Sequence, residues 1–391
     1  MALFASTSGA SALELDSILP ADVPGYGTVP GVSILSRVHP EYIPFDINYG
    51  TISFSPNINA GAGYDSSPNG IGNGSAVFNL NPSLLVQDAQ AGFGAYVAGA
   101  FSNYPETAEQ NTAGYTVALG ELALLPRQTL TLSAAALRTQ ETGFGFNTLT
   151  LSYPVNATVQ NIRGSDKLTL GMLTLTPDIS VSRYNFDGYS SQDRTDYRQS
   201  ITGEFTSGGP ARFVTRLQAT QSHYQQQIYN ANTYGALAGV ADQATDLWQV
   251  RMLAGIATRQ PAVGRALAAP IIEASVSWMP TGIDSLSLDL AREIDDPDQE
   301  SAAGYTLSQA DISIAHEYLR NVIITGSAKA GKAAYFDSPL VETLYNVLTS
   351  ANWHLNRALA VEATYAFNDR QANYLPAANE NVITVGLTWT P

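Results

Sequence analysis

From about residue 50 to the end, apolar and polar residues alternate one for one over unusually long stretches. In 51–64, Ile52, Phe54, Pro56, Ile58, Ala60, Ala62 and Tyr64 alternate with Ser53, Ser55, Asn57, Asn59, Gly61 and Gly63. Around 148–159, Leu149, Leu151, Tyr153, Val155, Ala157 and Val159 alternate with Thr148, Thr150, Ser152, Asn156 and Thr158. Residues 382–390 place Ile383, Val385, Leu387 and Trp389 on one face. Strict alternation sends the two sets to opposite faces of a strand. Runs of ten to fifteen residues exceed the roughly five or six of globular strands. They suit a tilted strand crossing a bilayer, which needs about nine to eleven. No apolar run approaches the roughly eighteen residues of a membrane-spanning helix, so a helical membrane protein is excluded.

The connections come in two kinds. Pro126-Arg127-Gln128, Met279-Pro280-Thr281-Gly282, Leu319-Arg320-Asn321 and Leu355-Asn356-Arg357 are tight. Longer polar segments at 65–74, 104–112, 186–195, 295–303 and 371–380 alternate with them. Short turns on one side and long loops on the other mark outer-membrane barrels. A soluble sandwich or β-helix, the competing architecture, has shorter strands and less asymmetric loops. The sequence therefore predicts an all-β fold, a transmembrane antiparallel up-and-down β-barrel over residues 50–391. Seventeen strands can be picked out, among them 147–160, 167–185, 246–258 and 381–390. A barrel with both ends in the periplasm needs an even number. The stretch 228–270, with Tyr234, Ala236, Ala238 and Val240 in phase, supplies the eighteenth; sixteen strands is the alternative. Residues 1–49, with Pro20, Pro24, Pro30, Pro40 and Pro44, fall outside the pattern. They are expected to form a periplasmic leader or a lumen plug.

Only 14% of the residues are charged, well below soluble-domain usage. The absence of cysteine removes disulfides, thiolate metal sites and thiol nucleophiles. A net charge of −15 argues against nucleic acid, which is bound through phosphate neutralisation. Ala10-Ser11-Ala12 is similar to a cleavage site, but no basic stretch precedes Leu3-Phe4, so the chain reads as mature. Neither G-x-S-x-G, H-E-x-x-H nor a Walker A sequence occurs, and His39, His223, His316 and His354 are scattered. No catalytic residue, metal or cofactor is expected.

If the apolar phase faces lipid, the other phase lines the pore. That phase carries Arg198 and Glu204, then Arg212, Arg216 and Arg251. It continues with Glu273, Asp289, Asp311, Glu317, Lys329, Glu342 and Glu362. Earlier strands put small neutral residues there: Ser53, Asn57, Asn59, Asn79, Asn81, Thr129, Thr131, Ser133, Thr150, Ser152 and Asn156. Inward charges can pair across strands and stiffen the wall, or set a transverse field that biases passage. Trp278, Trp353 and Trp389 each end an apolar phase before a tight turn or the C-terminus. They are expected in one periplasmic girdle facing lipid, with Trp248 assigned to the outer belt.

Residues 36–69, SRVHPEYIPFDINYGTISFSPNINAGAGYDSSPN, resemble the start of the putative β-barrel porin 2 family. The matching positions are Arg37, Pro40, Glu41, Tyr42, Pro44, Gly50, Pro56, Gly63, Tyr64, Asp65 and Ser66. Trp278-Met279-Pro280-Thr281, His316-Glu317-Tyr318-Leu319-Arg320-Asn321 and the closing strand extend the resemblance. Thr384-x-Gly386-x-x-Trp389 is similar to the C-terminal signal read by the barrel-insertion machinery, with Pro391 where an aromatic residue is usual. The resemblance implies an outer-membrane protein of a Gram-negative bacterium, in a family often associated with exopolysaccharide export. The expected partners are outer-membrane lipid, the insertion machinery and a periplasmic export partner, with the barrel itself a monomer. A diffusion porin for small solutes and a closed structural or surface-interaction barrel are the alternatives.

Overall fold

The computed structural model describes residues 15, 18–27, 33–36, 39–70, 72–146, 153–245, 247–296, 304–336, 338–373 and 375–391. A short strand, β1 (Ile47–Tyr49), precedes the barrel. The ring begins with β2 (Ile52–Asp65), β3 (Ser75–Asp88), β4 (Phe93–Asn103), β5 (Thr112–Leu125), β6 (Gln128–Glu141) and β7 (Val155–Leu170). It continues with β8 (Leu173–Phe186), β9 (Arg194–Thr206), β10 (Ala211–Tyr224), β11 (Ala231–Thr245), β12 (Trp248–Pro261) and β13 (Leu267–Trp278). It is completed by β14 (Asp284–Asp295), β15 (Tyr305–Leu319), β16 (Val322–Tyr335), β17 (Val341–His354), β18 (Leu359–Ala372) and β19 (Leu375–Trp389). Each strand pairs antiparallel with the next, and β19 closes on β2 from Val382↔Asp65 to Trp389↔Ile58. The result is a closed eighteen-strand up-and-down barrel. Closure satisfies the edge hydrogen bonds that lipid could not.

The eighteenth strand is β11, where the sequence placed it, around Tyr234–Val240. Adding it shortens the connection before β12 and moves Trp248. Trp248 opens a strand at the short-turn end of the barrel, the end that carries Trp278, not at the opposite end. It is the register partner of Trp278, and the two indoles meet edge to face at 5.9 Å. Trp278, Trp353 and Trp389 lie at the short-turn ends of β13, β17 and β19, exposed on the outward phase.

Two further boundaries differ. β7 runs on to Leu170 and turns at Gly171, where φ is +65°, so 161–166 is strand rather than turn. Two of its polar residues find partners: Gln128 Nε2 donates to Asp166 Oδ2 at 2.9 Å on the outer phase, and Arg163 reaches inward to Gly25 O. Likewise 371–380 is not a long loop, because β18 and β19 are separated only by residues 373–374. Glu380 is polar there because it takes hydrogen bonds from inside the barrel. Asn368 Nδ2 donates to its Oε2 at 2.8 Å and the Asn69 N–H to its Oε1 at 3.1 Å.

The inward phase holds on most strands and inverts on β7. Val155, Ala157 and Val159 are buried inside the barrel, whereas Asn156 faces outward and accepts from Gln140 Nε2 at 3.1 Å. The expected inward positions Thr150 and Ser152 lie outside the described residues. The inversion has a local cause, which is the chain packed against these side chains.

Candidate pore and its plug

Residues 18–27 run inside the barrel against β4–β8. Leu15, Leu19, Val23 and Tyr26 are buried among Ala118, Ala135, Leu137, Ala157, Val159, Tyr184 and Phe186. Burying such a Leu or Val contributes about 1.5–3 kcal/mol. Polar contacts fix the register: Tyr26 OH donates to Asn161 Oδ1 at 2.7 Å, and Arg163 Nη1 donates to Gly25 O at 2.9 Å. Gly94 and Gly120 are register partners on β4 and β5. A Cβ on Gly94 would overlap Asp22 O, and one on Gly120 would overlap Pro24 O. The wall is therefore bare where the segment's backbone touches it.

Residues 33–36 and 39 lie at the short-turn end of the barrel. Ile34 is buried with Met279 and Ala315, and Ser33 Oγ lies 3.2 Å from Ser285 Oγ. His39 Nε2 sits 3.3 Å from Glu317 Oε2, so the predicted lumen residue Glu317 holds the N-terminal segment.

Above the plug lies a cavity of about 680 Å³. Its wall runs across the β19–β2 closure, with Asn57, Asn59, Asn79, Asn81, Ser83 and Thr116 from β2–β5 and Asn346, Thr364, Asn368 and Thr384 from β17–β19. Tyr96 and Tyr104 also line it, and Asp311 and Lys329, register partners on β15 and β16, supply charge. Several amides are tied to neighbours, as in Asn59 Nδ2 to Thr388 Oγ1 and Asn346 Nδ2 to Asn368 Oδ1, both at 2.8 Å.

The outer end is crossed by the connection after β6. Its N–H at Gly143 donates to Asn69 Oδ1, and its Gly143 carbonyl accepts from Arg370 Nη1. Phe146 is buried among Tyr305, Leu307, Ala333, Tyr335 and Leu344 on β15–β17, the opposite side of the ring from β6. The predicted Glu342 underlies this contact: it is fully buried and accepts from Tyr335 OH.

A long barrel with an inward-folded outer loop and an occupied lumen is a porin-like arrangement, and the sequence agrees. The profile of the putative β-barrel porin 2 family matches residues 39–390. The chain belongs to this family. Among solved structures it is similar to Pseudomonas aeruginosa OccK2 (OpdF), with 11% identity, 86% of this chain and 98% of that one covered, and a TM-score of 0.46. It is also similar to Pseudomonas aeruginosa OpdK, solved with vanillate, at 9% identity, coverage of 86% and 99%, and a TM-score of 0.46. A bacterial polysaccharide outer membrane secretin gives 8% identity, coverage of 86% and 98%, and a TM-score of 0.39. No curated protein matches the chain. As a β-barrel porin 2 member, the protein is an outer-membrane, porin-like channel.

In this porin-family barrel the remaining predicted lumen residues fall on the inner face, mostly as ion pairs. Arg212 Nη1 lies 2.9 Å from Glu204 Oε2, and Arg251 Nη1 lies 3.4 Å from Glu204 Oε1. Arg216 grips Glu273 through both carboxylate oxygens, at 2.7 and 2.8 Å. None of these five residues lines the 680 Å³ cavity. Asp289 opposes Asp311 across β14–β15. Glu362 stands on the inward phase of β18, with Thr364 two residues on. Arg198 is half-buried on the inward phase of β9, within the electrostatic reach of Tyr184, Asp196, Glu293 and Asp295.

A second outer cluster escaped sequence reasoning. Asp296 accepts from Ser222 Oγ and Tyr224 OH, both at 2.9 Å, and pairs with Arg259 Nη2. Arg194 stacks on Tyr184 at 4.5 Å and bonds Asp196 at 3.4 Å. Burial raises the Asp296 pKa, but Arg259, Arg194 and the hydrogen bonds outweigh it and hold the carboxyl well below the usual range. The available signal was Arg259, which continues the inward phase of Arg251, Leu253, Gly255 and Ala257. Asp296 was hidden because it sits in an acidic loop. Of the histidines, His223 is outward against Tyr197, and His316 Nδ1 lies 2.7 Å from Asp284 Oδ1.

Proposed function

We propose that the channel conducts uncharged, hydroxyl-rich solutes along its amide-lined side and takes part in exopolysaccharide export. The observation that carries this reading is the cavity between plug and inward loop, walled by asparagine and threonine side chains. Such groups offer both donors and acceptors to hydroxyls without demanding charge. Tyr96 and Tyr104 add aromatic rings of the kind sugars stack on. Residues 18–27 form the inner gate and the loop at 142–146 the outer one. The protein works as a monomer in the outer membrane of a Gram-negative bacterium, is placed there by the barrel-insertion machinery, and receives glycan from a periplasmic partner.

Planar-bilayer conductance of the intact protein and of a chain lacking residues 1–48 tests the reading, together with liposome uptake of neutral oligosaccharides and of equally sized anions. Low conductance in the intact chain, with saccharide-selective uptake after truncation, is the expected result. A large steady conductance in the intact chain would instead make it a diffusion porin. No conductance in either form would make it a structural barrel.

A further inference from the structure

The seam between β19 and β2 is shorter than β2 itself. β19 ends at Trp389, opposite Ile58, while β2 continues six residues further toward the periplasm, to Ile52. β1 takes the vacated place. It pairs antiparallel with β2 as Ile47↔Phe54, Asn48↔Ser53 and Tyr49↔Ile52. Directly opposed residues in an antiparallel pair share a face. Phe54 and Ile52 belong to the outward set that includes Ile58 and Tyr64, so Ile47 and Tyr49 face outward as well. Alternation brings Phe45 to the same side. The opposite set behaves as a lumen-side set: Ser55 Oγ donates to Asp46 Oδ1.

Phe45, Ile47 and Tyr49 are 68%, 56% and 80% exposed. Three large apolar side chains in a row facing water would be costly. Other turns at this end of the barrel also expose apolar side chains on the outward phase, as at Leu125 and Leu170. The row therefore continues the lipid-facing belt of the barrel beyond Trp389. Arg357 lies over the Phe45 ring at 4.4 Å, and Arg320 is exposed nearby, 3.7 Å from Glu41. Guanidinium groups beside aromatic rings suit the phosphate level of a phospholipid leaflet.

We infer that Phe45, Ile47 and Tyr49 form a foot that embeds in the phospholipid interface of the periplasmic leaflet and tethers the plug segment to the membrane from outside the barrel.

The chain has no cysteine, so single cysteines carry unique labels. Nitroxides are placed at Ile47→Cys, Tyr49→Cys and, as the inward control, Asn48→Cys in the full-length protein. The protein is reconstituted in phosphatidylethanolamine and phosphatidylglycerol vesicles. Folding is checked by heat-modifiable migration on gels. Labels at 47 and 49 are expected to relax faster with oxygen than with an aqueous nickel chelate, and the label at 48 to do the reverse. Greater nickel accessibility at 47 and 49 would overturn the inference by placing the foot in water. Protection from both reagents would also overturn it, since a protein surface would then cover the row. The measurement needs no transport, so it stands apart from any failure of the conduction experiments.

Discussion

Two walls of one barrel have been put to opposite uses. The side formed by β2–β5 and β17–β19 presents short amides and hydroxyls to a cavity. The side formed by β9–β14 closes on itself through Arg–Glu pairs and buried Val214, Leu237, Leu253 and Ile271. Backbone pairing is the same in both, so the difference lies wholly in the inward side chains. Long opposite charges find partners across strands and fill the space between them. Short neutral groups bond at most to the adjacent strand and leave room. A path through this barrel is thus decided by side-chain length and pairing rather than by strand number.

The largest contrast is expected in stability. Asp296→Ala leaves Arg259 buried without its carboxylate, and breaking a buried pair this way costs about 3–5 kcal/mol. Asn59→Ala on the neutral wall removes one ordinary hydrogen bond, worth about 0.5–1.5 kcal/mol. Urea unfolding in detergent or vesicles compares the two, and equal losses would break the contrast.

Gating should respond next. Gly120→Ala puts a methyl group where Pro24 O now sits. Overpacking costs about 1–3 kcal/mol, roughly 5- to 150-fold in the balance between seated and unseated plug. Single-channel open probability should rise by that order while heat-modifiability is unchanged.

Selectivity sharpens the contrast further. Lys329→Glu alters a charge on the cavity wall and should move the reversal potential in a salt gradient toward cations. Arg216→Glu with Arg251→Glu should move it the same way but less, because those guanidiniums are spent on Glu273 and Glu204 outside the cavity. The double variant should remain folded. A larger shift from the double variant would put the path along the charged wall.

The smallest effect is the pH response of the outer cluster. Asp296 has a depressed pKa in the folded state. Its stabilising contribution is complete above the unfolded value of about 3.9 and is lost only as pH falls through the lower folded value. Acidification from about pH 7 to about pH 5 should therefore leave the urea midpoint of Asp296→Ala and of the parent protein equally far apart.

Most of the barrel was legible because lipid and lumen impose one alternating code on every strand. The code fails where the lumen stops being aqueous. Val155, Ala157 and Val159 read as lipid-facing, yet they face Leu19, Val23 and Tyr26 of the plug. It also fails where inward polar residues interrupt a strand, as at Glu380 and Arg163, because polar groups bonded inside the barrel look like loop in the sequence. The sockets at Gly94 and Gly120 were invisible for another reason. A glycine in a strand says that something approaches closely but not what, and here the partner lies far away in the chain.

The plug contacts have a temporal meaning as well. Residues 18–27 rest on β4–β8, all made early in the chain, whereas the ring is completed only when β19 meets β2. A nascent curved sheet can receive its filling while still open at one side, before the final strand arrives. Entry through the periplasmic mouth after closure is then unnecessary. The early strands would be wrapped around their own leading segment, much as a cask is raised around a former, and biogenesis itself would deliver the barrel already shut.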